Sequence, residues 1–260
     1  MRAVAAPKVA KRWLPEWAFT SLRSYLFLCP AAADYRHAGE AQPATPCADL
    51  QSSASAVMAV LESVKERIEK VTGWARPSVL DLDAALRPRK ANAFLFKDDG
   101  VIPNNPKLPL VLYRSPVGLS VKFDPAAVFE ELFERNGWGD SWRNGIYDYP
   151  HYHSRIHEVL GVARGHARVR FGGAKGRAIK LKAGDVVILP AGTGHERLSG
   201  SKDLLVIGAY PPFGTYDECR ASDKENEHDR ARTSIPKVAI PRKDPVYGRD
   251  GSLMSLWRRH

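Results

Sequence analysis

The chain has 260 residues, with 39 Lys and Arg against 29 Asp and Glu and a formal net charge of +10 at pH 7. That length allows one large domain or two small ones with a substantial core, and the cation excess raises nucleic acid as a partner. The basic residues are spread along the chain among acids, with no helix-turn-helix, zinc-finger or aromatic RNA-binding pattern. A basic, solvated surface and no nucleic-acid partner are therefore expected. Cys29, Cys47 and Cys219 are far apart and form no C-x-x-C. This argues against a disulfide scaffold or a thiolate zinc site and fits a reducing, cytoplasmic location. No apolar run approaches the ~20 residues of a membrane-spanning helix, so no membrane association is expected.

Residues 1–52 are rich in Ala and Pro and lack periodicity; Arg2, Lys8, Lys11, Arg12 and Arg23 face only Glu16 among acids before residue 31. The composition fits a targeting peptide, but Ser24 to Ala33 is too short and Pro-interrupted for a signal-peptide core, so the segment reads first as a disordered or dispensable extension, with a true start at Met58 or a targeting role as the alternatives. Residues 53–92 read as a helical flank. Val57, Val60, Leu61, Val64, Ile68 and Val71 recur at helical spacing up to Gly73, and a second short helix follows Pro77 through Leu80, Leu82 and Leu86. An apolar stripe of this kind must cover something, either the rest of the chain or a second copy in a homodimer.

Residues 93–123 turn β-like, with Phe94 to Phe96, the turn Lys97-Asp98-Asp99-Gly100, and an apolar run from Leu108 to Tyr113. Asp124-Pro125 places an N-cap acid and a first-turn proline before Val128, Phe129, Leu132 and Phe133, and Asn136-Gly137 closes that helix. The aromatics Trp138, Trp142, Tyr147, Tyr149 and Tyr152 follow, candidates for core packing or for the wall of a small-molecule pocket.

Two spaced patterns come next. Gly145, His151, His153, Glu158 and Gly165 form G-x5-H-x-H-x4-E-x6-G, and Gly184, Pro190, Gly192 and His195 form G-x5-P-x-G-x2-H. Alternate side chains of a strand share a face, so His151 and His153 aim their imidazoles the same way. Neutral imidazoles with one carboxylate make a mixed N/O set suited to a borderline divalent metal. Of the adjacent His157 and Glu158, only one can share the face of Leu160 and Val162, and parity selects Glu158. His157 then faces outward or sits in a bend, as a plain structural histidine or one supporting the site. Strands are expected at Val159–Arg164, Ala167–Phe171, Ile179–Lys182, Val186–Leu189 and Leu204–Tyr210. In the tail, Asp223 to Arg232 reads as solvated, while Val246-Tyr247 and Leu253 to Trp257 offer apolar surface for a returning edge strand.

These two motifs resemble those of the cupin superfamily. All five fixed positions of the first match, and four of the second, whose usual closing Asn is Ser199 here. Over residues 60–257 the chain resembles the uncharacterised bacterial YjlB-like cupins more closely. The likeness rests on Lys97-Asp98-Asp99-Gly100 through Pro103-Asn104-Asn105-Pro106, Asn136-Gly137-Trp138-Gly139, His151-Tyr152-His153-Ser154, Gly208-Ala209-Tyr210-Pro211-Pro212 and Asp244-Pro245-Val246-Tyr247-Gly248.

The resemblance implies an all-β fold, a double-stranded β-helix or jelly-roll cupin barrel with flanking α-helices. The barrel is expected over 93–215, with a C-terminal extension over 216–260 packing on it. His151, His153, Glu158 and His195 are the implied ligands of one divalent metal ion, Fe, Mn, Ni or Zn. The implied function is a metal-dependent enzyme of isomerase or dioxygenase type acting on a small polar metabolite such as a sugar or sugar acid. The alternative is a non-catalytic cupin that binds a small metabolite, with a structural or opportunistic metal. A metal-free epimerase with a histidine base is a third reading, against which four ligand positions weigh. No catalytic residue beyond the ligands is assigned.

Overall fold

The computed structural model describes residues 76–120, 122–220 and 227–258. The expected extension over 1–52 and helix over 57–71 lie outside the described residues.

Among the described residues, eleven strands make two antiparallel sheets. One has the order β1 (Asn92–Phe94), β2 (Leu110–Tyr113), β8 (Val186–Leu189), β5 (Glu158–Arg164), β10 (Leu205–Tyr210), β3 (Gly139–Asn144). The other has the order β11 (Cys219–Arg220), β4 (His151–Tyr152), β9 (His195–Gly200), β6 (His166–Phe171), β7 (Arg177–Lys182). From β3 onward the chain passes back and forth between the sheets, as in a double-stranded β-helix: it leaves β5, forms the β6–β7 hairpin opposite, and returns as β8 beside β5. Among the described residues, four α-helices flank the sheets: α1 (Val79–Ala85), α2 (Pro125–Arg135), α3 (Glu227–Ser234) and α4 (Ser252–Arg258). Among the described residues, no helix is long and apolar enough to cross a membrane.

Strand alternation sorts the apolar side chains into two cores. Leu110, Leu112, Leu160, Val162, Val187 and Val206 meet Ala167, Val169, Phe171, Ile179 and Leu181 between the sheets. On the other face of the six-stranded sheet, Val111, Val159, Val186, Ile188 and Ile207 pack with Phe129, Leu132 and Phe133 of α2 and with Leu253 and Trp257 of α4. Buried on both faces, β2 and β8 are apolar throughout, and the five-stranded sheet, wet on its outer face, alternates. Helix α2 has the expected bounds: the Asp124 side chain accepts from Ala126 N–H, Pro125 takes the first turn, and Asn136 caps the end.

Leu253 to Trp257 forms a helix and not an edge strand. Leu253, Met254 and Trp257 are all buried, and their spacing puts them on one helical face. Part of the stretch 223–232 likewise belongs to α3, whose Ala231 is buried.

Helix α2 lies close to β5 because residue 161 lacks a side chain. A Cβ on Gly161 would come 2.6 Å from Phe129 Cδ1, in a ring fully buried from solvent. Gly161→Ala is expected to push α2 off the sheet and to destabilise the fold by about 1–3 kcal/mol. Thermal unfolding reads this; an unchanged Tm would mean that α2 is not pinned to β5.

Candidate metal centre

The four residues singled out by spacing converge between the sheets. His151 opens β4 and pairs in register with His195, the first residue of β9. His153 follows β4 directly, and Glu158 opens β5 on the parity of Leu160 and Val162, which point into the inter-sheet core. One ring nitrogen from each of His151, His153 and His195 lies within 4.8 Å of those of the other two. Glu158 Oε2 is 3.4 Å from His195 Nε2 and 3.6 Å from His153 Nε2. All four side chains are at most 6% exposed.

Hydrogen bonds fix how the rings face. His151 Nδ1 lies 3.1 Å from Tyr149 O and His195 Nδ1 lies 3.2 Å from Thr193 O, while His153 Nδ1 bonds Asp217 O at close range. A carbonyl only accepts, so each Nδ1 carries its proton and, in the neutral ring, each Nε2 presents a lone pair. Glu158 Oε2 is buried without a hydrogen-bond partner. A buried orphan oxygen is expensive, and here its neighbours are two ring nitrogens, which satisfy it only when protonated. Three lone pairs and a carboxylate oxygen converging on one point with no donor among them suit a cation, so the residues fit a divalent metal.

The electrostatics agree. Burial lowers the pKa of His151, offset in part by the Tyr149 carbonyl. Burial, then the neighbouring His151 and His153, hold His195 well below the ordinary imidazole value. Burial also works against a charged His153, yet the Glu158 carboxylate and then the Asp217 carbonyl outweigh it and raise its pKa to about 9, so a proton on His153 Nε2 competes with a metal ion for the place beside Glu158. The site draws positive charge towards Glu158.

The loop carrying His195 is held from several sides. Gly192 has φ +91, and a Cβ there would come 2.5 Å from Ile235 Cδ1 and 3.0 Å from the Asn104 backbone. Its N–H donates to His153 O at 2.7 Å, and the Asn105 side chain donates to Ala191 O at 3.0 Å. His157 takes part here: its Nδ1 accepts from Ala191 N–H at 2.9 Å, and its ring packs 4.7 Å from Trp257 of α4. It is fully buried, and burial lowers its pKa to about 3, so it is a neutral strut on the far side of β5 from Glu158.

Sequence reasoning missed Asp217. Its carbonyl orients His153, and its carboxylate accepts from Ser154 N–H and Oγ and from Arg155 N–H. These bonds, with the β11–β4 pairing, hold Tyr216 at the site, its ring 5.1 Å from that of His153. No periodicity links residues 63 positions apart, so the sequence carried no signal for the contact. Of the candidate wall aromatics, Tyr147 and Tyr149 stack at 4.9 Å, with Tyr147 5.2 Å from His151. Trp142 donates to Tyr210 OH at 2.9 Å. Trp138 belongs to the helix-side core, and Tyr152 to a small cluster with Ile102, Cys219, Ala231 and Ile235. Burial first, then nearby carboxylates, raise the Tyr216 pKa to about 12, and burial, then Glu158, raise that of Tyr210; both phenols remain protonated donors.

The Cupin family profile matches residues 142–210. The protein named "Uncharacterized protein YjlB" of Bacillus subtilis (strain 168) is 41% identical over 169 residues, 65% of this chain and 98% of that protein. Among solved structures, an uncharacterized conserved protein with a double-stranded beta-helix domain from Klebsiella pneumoniae subsp. pneumoniae MGH 78578 is similar at 16% identity and TM-score 0.27, covering 55% of this chain and 89% of that one. The acireductone dioxygenase from Bacillus anthracis with a cadmium ion in its active centre is similar at 17% identity and TM-score 0.26, covering 37% and 68%.

Proposed function

We propose, because this chain belongs to the cupin family and is a relative of YjlB, that it is a metal-dependent enzyme acting on a small, polar, oxygen-bearing metabolite such as a sugar or sugar acid. The observation that carries this reading is the arrangement of donors: three imidazoles, each with Nδ1 tied to a carbonyl, cluster within 4.8 Å, and those of His153 and His195 turn Nε2 towards the orphaned Oε2 of Glu158. His151, His153, Glu158 and His195 would hold one divalent ion, Fe, Mn, Ni or Zn, among which ligand type does not choose. Such an ion would supply Lewis-acid polarisation or oxygen activation, the basis of isomerase and dioxygenase chemistry alike. The chain supplies the rest. Tyr147 and Tyr216, 43% and 50% exposed, flank His151 and His153 and offer apolar faces to a ligand. The protonated Tyr216 hydroxyl can donate to a ligand oxygen, and Asp217 holds the strand that positions it.

The test begins with the ion. Wild-type protein, loaded anaerobically with Fe(II), Mn(II), Ni(II) or Zn(II) in turn, is expected to retain about one ion per chain by elemental analysis. Glu158→Gln loses it, and His157→Gln keeps it with affinity reduced by about 10–100-fold, as for loss of a supporting hydrogen bond. A screen of sugars and sugar acids with the preferred ion then reads turnover. Retention of no ion by the wild type sinks the proposal, as does loss in His157→Gln with retention in Glu158→Gln. A loaded protein that binds members of the screen and converts none is the non-catalytic cupin.

A further inference from the structure

The outer face of the five-stranded sheet carries a second concavity, away from the histidines and built of different chemistry. Its volume is about 900 Å3, and it is lined by Arg89, Arg114, Arg168, Lys180 and Lys182 together with His166. The hydroxyl-bearing Ser115 and Ser199 complete its polar wall, with Ala167 and Leu181 the remaining lining residues. No carboxylate lines it among the described residues.

Elsewhere this surface pairs its cations. Arg143 is bonded to Glu130 and Asp124, Arg170 to Glu196, and Arg135 to Asp83. In the groove, strand register does the opposite. Arg168 of β6 stands directly opposite Lys180 of β7, and His166 opposite Lys182. Like charges facing each other across a strand pair are destabilising, and neither Arg168 nor the two lysines has an ion pair among the described residues. Of the acids near by, Asp203 stands beside His166 at one end, and Asp185 is buried and already taken: its carboxylate accepts from Arg114 at 2.7 Å, and Arg114 also donates to Lys180 O at 2.6 Å. Those two bonds fix the Arg114 guanidinium, still 44% exposed, over the edge strand. Arg89 donates to Ser115 O and is held on the same side.

We propose that this groove is a binding site for a compact polyphosphate-type anion, either inorganic polyphosphate or a small phosphorylated metabolite. Convergent cations without a carboxylate select an anion of more than one charge, and guanidinium forks with hydroxyl donors match phosphate oxygens. The volume lies in the range of ~300–1,000 Å3 typical of small-molecule sites. Among the described residues the lining holds no Phe, Tyr or Trp, so the broad stacking platform that single-stranded nucleic acid needs is missing. The site is independent of the metal reading and stands or falls separately.

The test titrates metal-loaded protein with tripolyphosphate and, in parallel, with fructose 1,6-bisphosphate, in calorimetry at about 0.15 M salt, where surface charge alone is largely screened. At least one of the two is expected to bind saturably and to raise Tm, and the tighter one identifies the source. The double variant Arg168→Gln, Lys180→Gln is expected to lose at least about tenfold in affinity, and its free Tm to equal or exceed that of the wild type. Arg143→Gln, on a residue already paired, leaves binding unchanged. His151→Ala also leaves it unchanged, which separates the groove from chelation at the metal centre. The proposal is overturned if neither anion binds the wild type, if the double variant binds as tightly as the wild type, or if His151→Ala abolishes binding. A duplex oligonucleotide that outcompetes both anions and shows the same sensitivity to Arg168 and Lys180 overturns it in favour of nucleic acid.

Discussion

Replacing His195 with alanine is expected to abolish the proposed stoichiometric metal binding and to leave both sheets folded. His195 contributes one of three lone pairs, and its imidazole stands across the β4–β9 pair from His151, the ring centroids 4.0 Å apart. Removing a hydrogen-bond partner of a ligand typically weakens metal binding by about 10–100-fold, so removing the ligand itself is expected to exceed that range. The same substitution leaves the inter-sheet core of Leu160, Val162, Val169 and Phe171 in place. Stability reports the loss as well. At free metal about 100-fold above Kd, binding stabilises the folded wild type by roughly 2.7 kcal/mol. That corresponds to a Tm rise of about 5–11 °C for a domain of this size, reversed by a chelator. In His195→Ala, metal and chelator should give one and the same Tm. Competition with a chromophoric chelator measures the affinity directly. A variant that still holds one ion at wild-type affinity would place the ion somewhere other than the histidine cluster.

The strands that build this centre were legible because their signals are local. Gly165, the Gly172–Gly173 turn and Gly184 punctuate the chain, and all four take positive φ where the backbone reverses. The alternation of Ala167, Val169 and Phe171 with Arg168 and Arg170 is the imprint of a sheet with one wet face, and their burial follows it residue by residue. Parity placed Glu158 on the side of Leu160 and Val162, where the structure has it, and left His157 to the opposite face. What was not legible depends on partners far along the chain. Leu253 to Trp257 is short enough to be strand or helix, and its conformation is decided by the hollow that the six-stranded sheet and α2 leave for Leu253 and Trp257. The Gly139–Asn144 strand was hidden for a similar reason. As an edge strand of half-exposed Gly, Asp, Ser, Trp, Arg and Asn, it has no apolar alternation, and only its pairing with β10 defines it. Asp217 reaches the site through tertiary contact alone.

Trp257→Ala is expected to be the most destabilising single change in the described part of the chain. The indole of Trp257 is fully buried, and its Nε1 donates to Pro109 O at 2.9 Å. Truncating a buried tryptophan costs about 3–5 kcal/mol through lost transfer and the cavity left behind, a Tm fall of roughly 6–20 °C at this size. The orphaned Pro109 carbonyl belongs to that loss. Helix α4 has a second anchor at its other end, where Asp244 accepts from Tyr113 OH at 2.5 Å and from Leu253 N–H at 3.3 Å. The helix should therefore loosen at its C-terminal end first. The effect reaches the metal centre by a short path. The Trp257 ring backs His157, His157 Nδ1 holds Ala191 N–H, and Ala191 lies in the loop that delivers His195. Trp257→Ala should accordingly weaken metal binding without abolishing it, by less than His195→Ala does, because the four donor side chains are all still present. Trp257→Phe keeps most of the packing, loses only the Pro109 bond, and should recover most of both losses. Thermal unfolding and chelator competition on the three variants measure the pair of effects. A Trp257→Ala protein with wild-type Tm would show that α4 lies outside the cooperative unit, and one with lowered Tm but wild-type metal affinity would break the path from Trp257 through His157 to the ion.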